Sequence, residues 1–203
     1  MNELFENLDK EKRDRIINAS LKEFAAKGFD LASTNVIVKE ANISKGSLFN
    51  YFDNKKGLYA SMVDYSTLII EKIYDVVDLD ETDLFKKIEA IGLAKLNIQK
   101  RYPQVFDFLF SMATEDSKEV QNVNQTKINT IYKDGFEKMY ENIDYSLFKE
   151  GINVEKAVDI LNWSLLGFGN RAMETIDSIE EVEQSYLKEW EEYSTILKQA
   201  FYK

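Results

Sequence analysis

The chain has 203 residues, 26 basic and 36 acidic side chains for a formal net charge of −10, one Pro, and neither His nor Cys. Without His or Cys there is no disulfide framework, Cys/His zinc centre, thiolate nucleophile or imidazole base, so any metal must be held by oxygen ligands. No apolar run reaches the roughly 18 residues of a membrane span and the start, Met1 to Arg15, is polar, so a cytoplasmic chain without a membrane partner is expected.

Proline and glycine are scarce and apolar residues recur at three and four, so the chain reads as all-α. The first helix is expected from about Asp9 to Lys27, with Ile17, Leu21 and Phe24 on one stripe and Gly28 ending it with positive φ. Two short helices follow, about Thr34 to Ala41 behind Ser33 as N-cap and about Lys45 to Phe52 behind Ser44. Asn42 between them suits the left-handed conformation of a tight turn. From Lys55 a longer helix carries Leu58, Met62, Tyr65, Ile69 and Ile73 on one face. Val76 to Asp83 is acidic and aperiodic, a connection, and the helix after it runs to about Lys100. Pro103 opens a short aromatic helix with Val105, Phe106, Leu109 and Met112. Further helices are expected over about Lys118 to Asn142, Val154 to Ile176 and Ile179 to Tyr202.

Two short helices joined by a tight turn, with a longer helix before and after, are the parts of a helix-turn-helix reader whose second short helix enters the major groove. Ile37, Ala41, Ile43 and Leu48 supply its small core, leaving Lys45, Ser47, Asn50 and Tyr51 on the other face, donor-rich side chains suited to phosphates and base edges. Gly46 beside them allows close backbone approach to a phosphate.

Residues 10–58 resemble the N-terminal domain of the TetR family of bacterial transcriptional regulators (TetR/AcrR-like). The resemblance rests on Gly28-Phe29, Ser33, Ile37-Val38, the run Ser44-Lys45-Gly46-Ser47-Leu48-Phe49-Asn50-Tyr51-Phe52, Lys55 and Leu58, in unbroken order and spacing. The chain departs from the family pattern at Ala32, Val36 and Asn42, positions away from the reading face. The resemblance implies that Lys45, Ser47, Phe49 and Asn50 face the groove. It further implies that Tyr51 and Lys55 grip phosphates at its edge, and that Ser33 and Thr34 contact the DNA backbone. The competing reading for Phe49 and Tyr51 is that they close the small core, and for Lys55 that it is a solvated surface lysine.

The charge divides unevenly: residues 1–60 hold ten basic and nine acidic positions, +1, and the remaining residues carry −11. A reader of +1 has a weak electrostatic footprint and is expected to depend on dimerisation. The resemblance implies an effector cavity in the middle helices and a dimer contact on the last two. Aromatic candidates for the cavity are Phe106, Phe110, Tyr132, Phe136, Trp163 and Phe168, with Asp107, Glu115 and Asp116 nearby in sequence. Such a lining suits a small hydrophobic or cationic effector, a lipophilic cation or a fatty acyl chain, although an ordinary aromatic core explains it as well. For the dimer, Leu161 and Leu165 on the penultimate helix and Tyr186, Trp190, Tyr193 and Leu197 on the last form an apolar seam; the alternative is packing within their own chain.

The organisation expected is therefore a DNA-binding domain of three helices over residues 1–54 and a helical bundle over 55–203 for effector binding and dimerisation. Its expected function is that of a ligand-responsive regulator, a repressor, on a palindromic double-stranded DNA operator, with no cofactor and no metal. The alternative is an all-helical adaptor that does not bind DNA. An enzyme using Glu115 and Asp116 as acid and base is disfavoured, because adjacent helical residues point about 100° apart. The calcium-loop-like run from Asp78 to Glu89 lacks Gly at its sixth position, and Ser146-Leu-Phe-Lys149 lacks the companion motifs of the enzymes that use Ser-x-x-Lys.

Overall fold

The computed structural model describes residues 2–175 and 179–203, with the side chains of 170–186 outside the description. Its helices are α1 (Glu3–Glu6), α2 (Lys10–Leu31), α3 (Thr34–Glu40), α4 (Lys45–Phe52), α5 (Lys55–Glu71), α6 (Leu84–Arg101), α7 (Pro103–Ala113), α8 (Gln121–Tyr140), α9 (Val154–Thr175) and α10 (Ile179–Phe201). Two 3₁₀ turns, Tyr74–Val76 and Tyr145–Leu147, complete them, and no strand occurs among the described residues. The all-α expectation and the helix-turn-helix both hold.

By packing, the chain forms two compact units: Met1–Val76 with Asn97–Glu137, and Val77–Leu96 with Lys138–Lys203. In the first, Ile17, Leu21 and Phe24 of α2 are buried together with Ile37, Ala41, Leu48 and Phe52 of the short helices and Leu58, Met62 and Ile69 of α5. These are the stripes read from the sequence. The centre of this core is aromatic. Tyr59 on α5 meets Phe24, Phe29 and Phe108 edge-on at centroid distances of 5.0, 5.3 and 5.2 Å, and Phe108 brings α7 against α2. Each such ring contributes about 1.5–3 kcal/mol through its burial. Burial pushes the Tyr59 hydroxyl up to about 12, so it stays protonated while accepting from Asn124 of α8 at 2.8 Å.

One added helix and one helix end depart from the sequence reading. The four-residue α1 was not foreseen. α2 continues to Leu31, but across a break at Gly28 with φ 67° and ψ 175°, a backbone region open essentially to glycine alone, so Gly28 does end the regular helix.

The second unit is built on Leu84, Phe85 and Ile88 of α6, Ala157, Leu161 and Phe168 of α9, and Trp190, Phe201 and Tyr202 at the end of the chain. The Tyr202 hydroxyl accepts from the Leu84 N–H at 3.2 Å, and its ring meets Phe85 and Phe148 edge-on at 5.0 Å each. Lys87 is completely buried, its ammonium donating to the Glu141 carbonyl at 2.6 Å just past the end of α8. There the partial negative charge of a helix C-terminus favours a cation.

Candidate nucleic-acid interface

α3 and α4 are placed by a turn held by backbone hydrogen bonds at the end of one helix and a side-chain cap at the start of the other. At the end of α3 the Ile43 N–H donates to the Val38 carbonyl at 3.0 Å and the Asn42 N–H to the Lys39 carbonyl at 3.3 Å, the paired bonds of a Schellman motif. Asn42 sits at φ 54°, the left-handed residue such a turn needs. α4 then starts on Ser44, whose hydroxyl accepts from the Ser47 N–H at 3.0 Å and meets the Ser47 hydroxyl at 2.8 Å. α4 is anchored by Leu48 and Phe52, both buried, and at 100° per residue Gly46, Ser47 and Asn50 fall on the opposite side.

Lys45, Gly46 and Asn50 are exposed, while Ser47 and Phe49 are half-buried. The Lys45 ammonium lies 5.9 Å from the Phe49 ring centroid. Tyr51 is half-buried at the edge of the core, its ring meeting Phe5 of α1 at 5.9 Å and Phe52 at 6.2 Å. Thr34 is half-buried at the start of α3. Ser33 precedes it as N-cap without a side-chain capping bond, and its own N–H donates to the Glu23 carboxylate at 2.9 Å. Lys55 is half-buried and turned onto its own chain: its ammonium donates to the Asp30 carbonyl at 3.0 Å and lies 5.0 Å from the Phe29 ring centroid.

Lys55 is one of two grips on the Gly28–Asp30 segment, and the sequence announces neither. After α7 the Glu115 carboxylate accepts from the Phe29 N–H at 2.6 Å and from the Ser117 N–H at 2.9 Å. The buried Ser117 hydroxyl donates to the Asp30 carboxylate at 2.8 Å. With Gly28 outside regular helix, the Phe29 N–H has no helical acceptor, and Glu115 supplies one. Two turns of chain 86 residues apart are thereby joined, and no local pattern announces it.

The aromatic residues singled out as a cavity lining divide between the units. In the first, Phe106 is buried in the core, Phe136 is half-buried, and Phe110 and Tyr132 are 56% and 53% exposed. In the second, Trp163 is 67% exposed and Phe168 is buried against Trp190 and Tyr193 at 5.6 and 5.8 Å. Of the seam residues, Leu161 and Trp190 are buried within their own unit, Leu165 and Leu197 pack on that core, and Tyr193 is partly exposed; the Tyr186 side chain lies outside the described residues. Among the described residues, the large apolar side chains left outward on these helices are Ile160, Trp163 and Leu166 of α9 and Tyr193 and Ile196 of α10. Among the described residues no group of three or more acidic side chains is arranged to hold a metal, and no helix is long and apolar enough to cross a membrane.

Residues 16–62 match the model of the family described as "Bacterial regulatory proteins, tetR family". A protein of Bacillus subtilis (strain 168) named "Uncharacterized HTH-type transcriptional regulator YuxN" is 46% identical over 56 residues, which cover 28% of this chain and 19% of that protein's length. The "Biofilm operon icaADBC HTH-type negative transcriptional regulator IcaR" of Staphylococcus aureus (strain Newman) is 30% identical over 129 residues, 60% of this chain and 68% of the relative. The whole fold is similar to the crystal structure of a TetR family transcriptional regulator from Chloroflexus aurantiacus J-10-FL, with a TM-score of 0.70, 22% identity, and coverage of 100% of this chain and 98% of that one. With the helix-turn-helix geometry carrying the matched segment and the similarity to IcaR extending well beyond it, the chain belongs to the TetR family of bacterial transcriptional regulators.

Proposed function

We propose that this regulator is a repressor that binds a palindromic DNA operator as a homodimer and is released by a small hydrophobic or cationic effector. The observation that carries the DNA reading is α4: an eight-residue helix anchored on one side by Leu48 and Phe52, with Gly46, Ser47 and Asn50 on the other side and no acidic residue along its length. Small and polar side chains let the helix approach base edges, with Lys45, Ser47, Phe49 and Asn50 toward the groove, while Tyr51 at the rim meets phosphates. In this reading residues 1–54 carry the DNA face, with Ser33 and Thr34 at the backbone near α3 and Lys55 beside it. Residues 55–203 carry the effector and dimer functions.

The dimer is supported by the outward apolar face of α9 and α10, Ile160, Trp163, Leu166, Tyr193 and Ile196. At Gly167, among the described residues, no atom from beyond its own stretch of helix lies within 4 Å of the position a Cβ would take, leaving room for close approach of a second copy. A two-fold pair presents two reading helices to two half-sites, which a palindrome matches. Effector release requires a ligand that prefers the conformation binding DNA poorly. The repressor reading is supported by IcaR, whose name makes it a negative regulator.

The test is selection of duplexes from a random pool, followed by anisotropy titrations of the enriched duplex and a scrambled one. Asn50→Ala is expected to relax base preference, and Tyr51→Phe to weaken binding to both duplexes. Failure to bind any duplex at low salt and micromolar protein supports the adaptor reading instead. A thermal-shift screen of lipophilic cations and acyl compounds tests the effector class.

A further inference from the structure

α4 has only eight residues, too few to be stable alone, so its orientation depends on what packs against it. One of those contacts comes from residues that precede the segment matched by the family model. α1 lies against α4 through two residues. Phe5 is 1% exposed, with its ring 4.8 Å from Phe52 and 5.9 Å from Tyr51, the last two residues of the reading helix. Asn2 bonds at both ends of its amide. Its oxygen accepts from the Phe5 N–H at 3.1 Å and caps α1, and its nitrogen donates to the Asn50 carbonyl at 2.7 Å.

The last four carbonyls of a helix have no partner within it. Asn50 contributes one of those four in α4, and it is also the side chain that points most directly away from the anchoring pair Leu48 and Phe52. Asn2 therefore holds the backbone of the residue whose side chain faces outward. α1 is itself fastened to α2, where the Arg13 guanidinium donates to the Glu6 carbonyl at 2.9 Å. The route from α2 through α1 to the end of α4 is continuous.

We propose that residues 2–8 are a positioning element of the DNA reader, with Asn2 and Phe5 fixing the C-terminal turn of α4 and thus the direction of Asn50. This inference rests on the reading of α4 as the DNA-reading helix. Asn2 and Phe5 act through α4 and need not touch DNA. Such a device sharpens discrimination between base sequences, because a base-edge bond depends on direction, and leaves the charge-driven affinity for any duplex nearly unchanged.

The test uses the full chain. Asn2→Ser keeps a capping oxygen for α1 without adding charge and is too short to reach the Asn50 carbonyl. Phe5→Ala removes the ring, and Phe5→Leu restores its bulk. Two quantities are read: amide hydrogen exchange over residues 48–53 without DNA, and the ratio of affinities for a duplex enriched by the wild-type protein over a scrambled duplex of the same composition.

Asn2→Ser and Phe5→Ala are expected to speed exchange over residues 48–53 and to lower the ratio roughly three- to tenfold, the value of one lost hydrogen bond, with scrambled-duplex affinity kept and Phe5→Leu recovering most of the loss. Wild-type exchange and an unchanged ratio in Asn2→Ser overturn the proposal. An equal loss on both duplexes also overturns it, because that is what a smaller folded fraction produces. A wild-type protein without preference for any duplex sinks the DNA reading and with it the positioning role, while the exchange data still decide whether α1 holds α4.

Discussion

Replacing Glu115 by Ala tests whether the Gly28–Asp30 segment is held in place from the other end of the unit. The substitution removes one carboxylate that accepts two backbone N–H groups, from Phe29 at 2.6 Å and Ser117 at 2.9 Å. A hydrogen bond to a charged group is worth about 1.5–3 kcal/mol net, and that range applies to the Phe29 bond because Phe29 is buried and water does not readily replace the acceptor. The Ser117 bond spans two residues of one turn, and losing it adds about 0.5–1 kcal/mol. The sum is about 2–4 kcal/mol for Glu115→Ala. Glu115→Gln keeps one acceptor oxygen and loses the charge, and is expected to cost about half as much.

The assay has to report the correct unit. Both tryptophans, Trp163 and Trp190, lie in the second unit, so their fluorescence is a poor probe of this change. Guanidinium titration followed by circular dichroism, with amide exchange at Phe29, reads it directly. A cycle with Gly28→Ala sharpens the reasoning. The added Cβ meets backbone strain of about 1–3 kcal/mol at φ 67° and ψ 175°, and also lies 3.1 Å from the Glu115 carboxylate oxygen. Without Glu115 the crowding disappears and the strain stays, so the double variant should be more stable than the two single costs together imply. A Glu115→Ala protein within 0.5 kcal/mol of wild type, with Phe29 exchange unchanged, refutes the argument.

Two further outcomes follow from local geometry. A Cβ at Gly57 would stand 2.2 Å from the Phe52 carbonyl oxygen, a backbone atom already accepting from the Asn54 N–H at 2.7 Å, so Gly57→Ala should force α4 and α5 apart and cost at least about 2 kcal/mol by denaturant titration. Trp163→Glu places a charge on the outward face of α9 and should weaken self-association at least about tenfold by sedimentation velocity with the helical content intact, whereas Leu161→Ala, at a site 1% exposed, should lower stability by about 2–5 kcal/mol instead.

The reader was legible in the sequence because its determinants are local. The Ser44 cap, the left-handed Asn42, the Gly28 break and the stripe from Leu58 to Ile73 each act within a few residues, and all take the forms that their residue types favour. α1 was not legible, since four residues give no period to recognise, although Asn2 as a cap before Phe5 and Leu8 was a faint sign of it. The Glu115 grip lay beyond reach for a different reason: a carboxylate 86 positions away carries no mark of the N–H it will meet. On α9 and α10 periodicity identified apolar helices without choosing which apolar side faces inward, because Ile160 and Leu161, or Leu165 and Leu166, are neighbours of equal hydropathy on different faces. Leu161 took the core and Ile160 the surface.

The weak charge of the reader has a measurable consequence. Residues 41–52 contain Lys45 and no acidic side chain; of the two acids that flank them, Glu40 is paired with Lys22 at 2.8 Å and Asp53 is the exposed C-cap of α4. The neighbourhood of α4 is thus nearly neutral rather than repulsive, but it offers few cations to phosphate. From α3 to the start of α5 one chain presents Lys39, Lys45, Lys55 and Lys56, eight in the proposed dimer. At about 0.9 counterions released per phosphate neutralised, the slope of log affinity against log salt reaches at most about −7. If Lys55 keeps its bond to the Asp30 carbonyl and leaves the phosphates alone, six cations remain and the slope is about −5. Anisotropy titrations of the enriched duplex between 50 and 200 mM salt measure it, and Lys55→Ala separates the two values. A wild-type slope of about −5 that Lys55→Ala leaves unchanged places this lysine in the Gly28–Asp30 grip, and one that falls from about −7 places it on the DNA. A slope near −10 refutes the accounting, for it requires bases of α2 such as Lys10, Lys12 and Lys27 to reach the duplex as well.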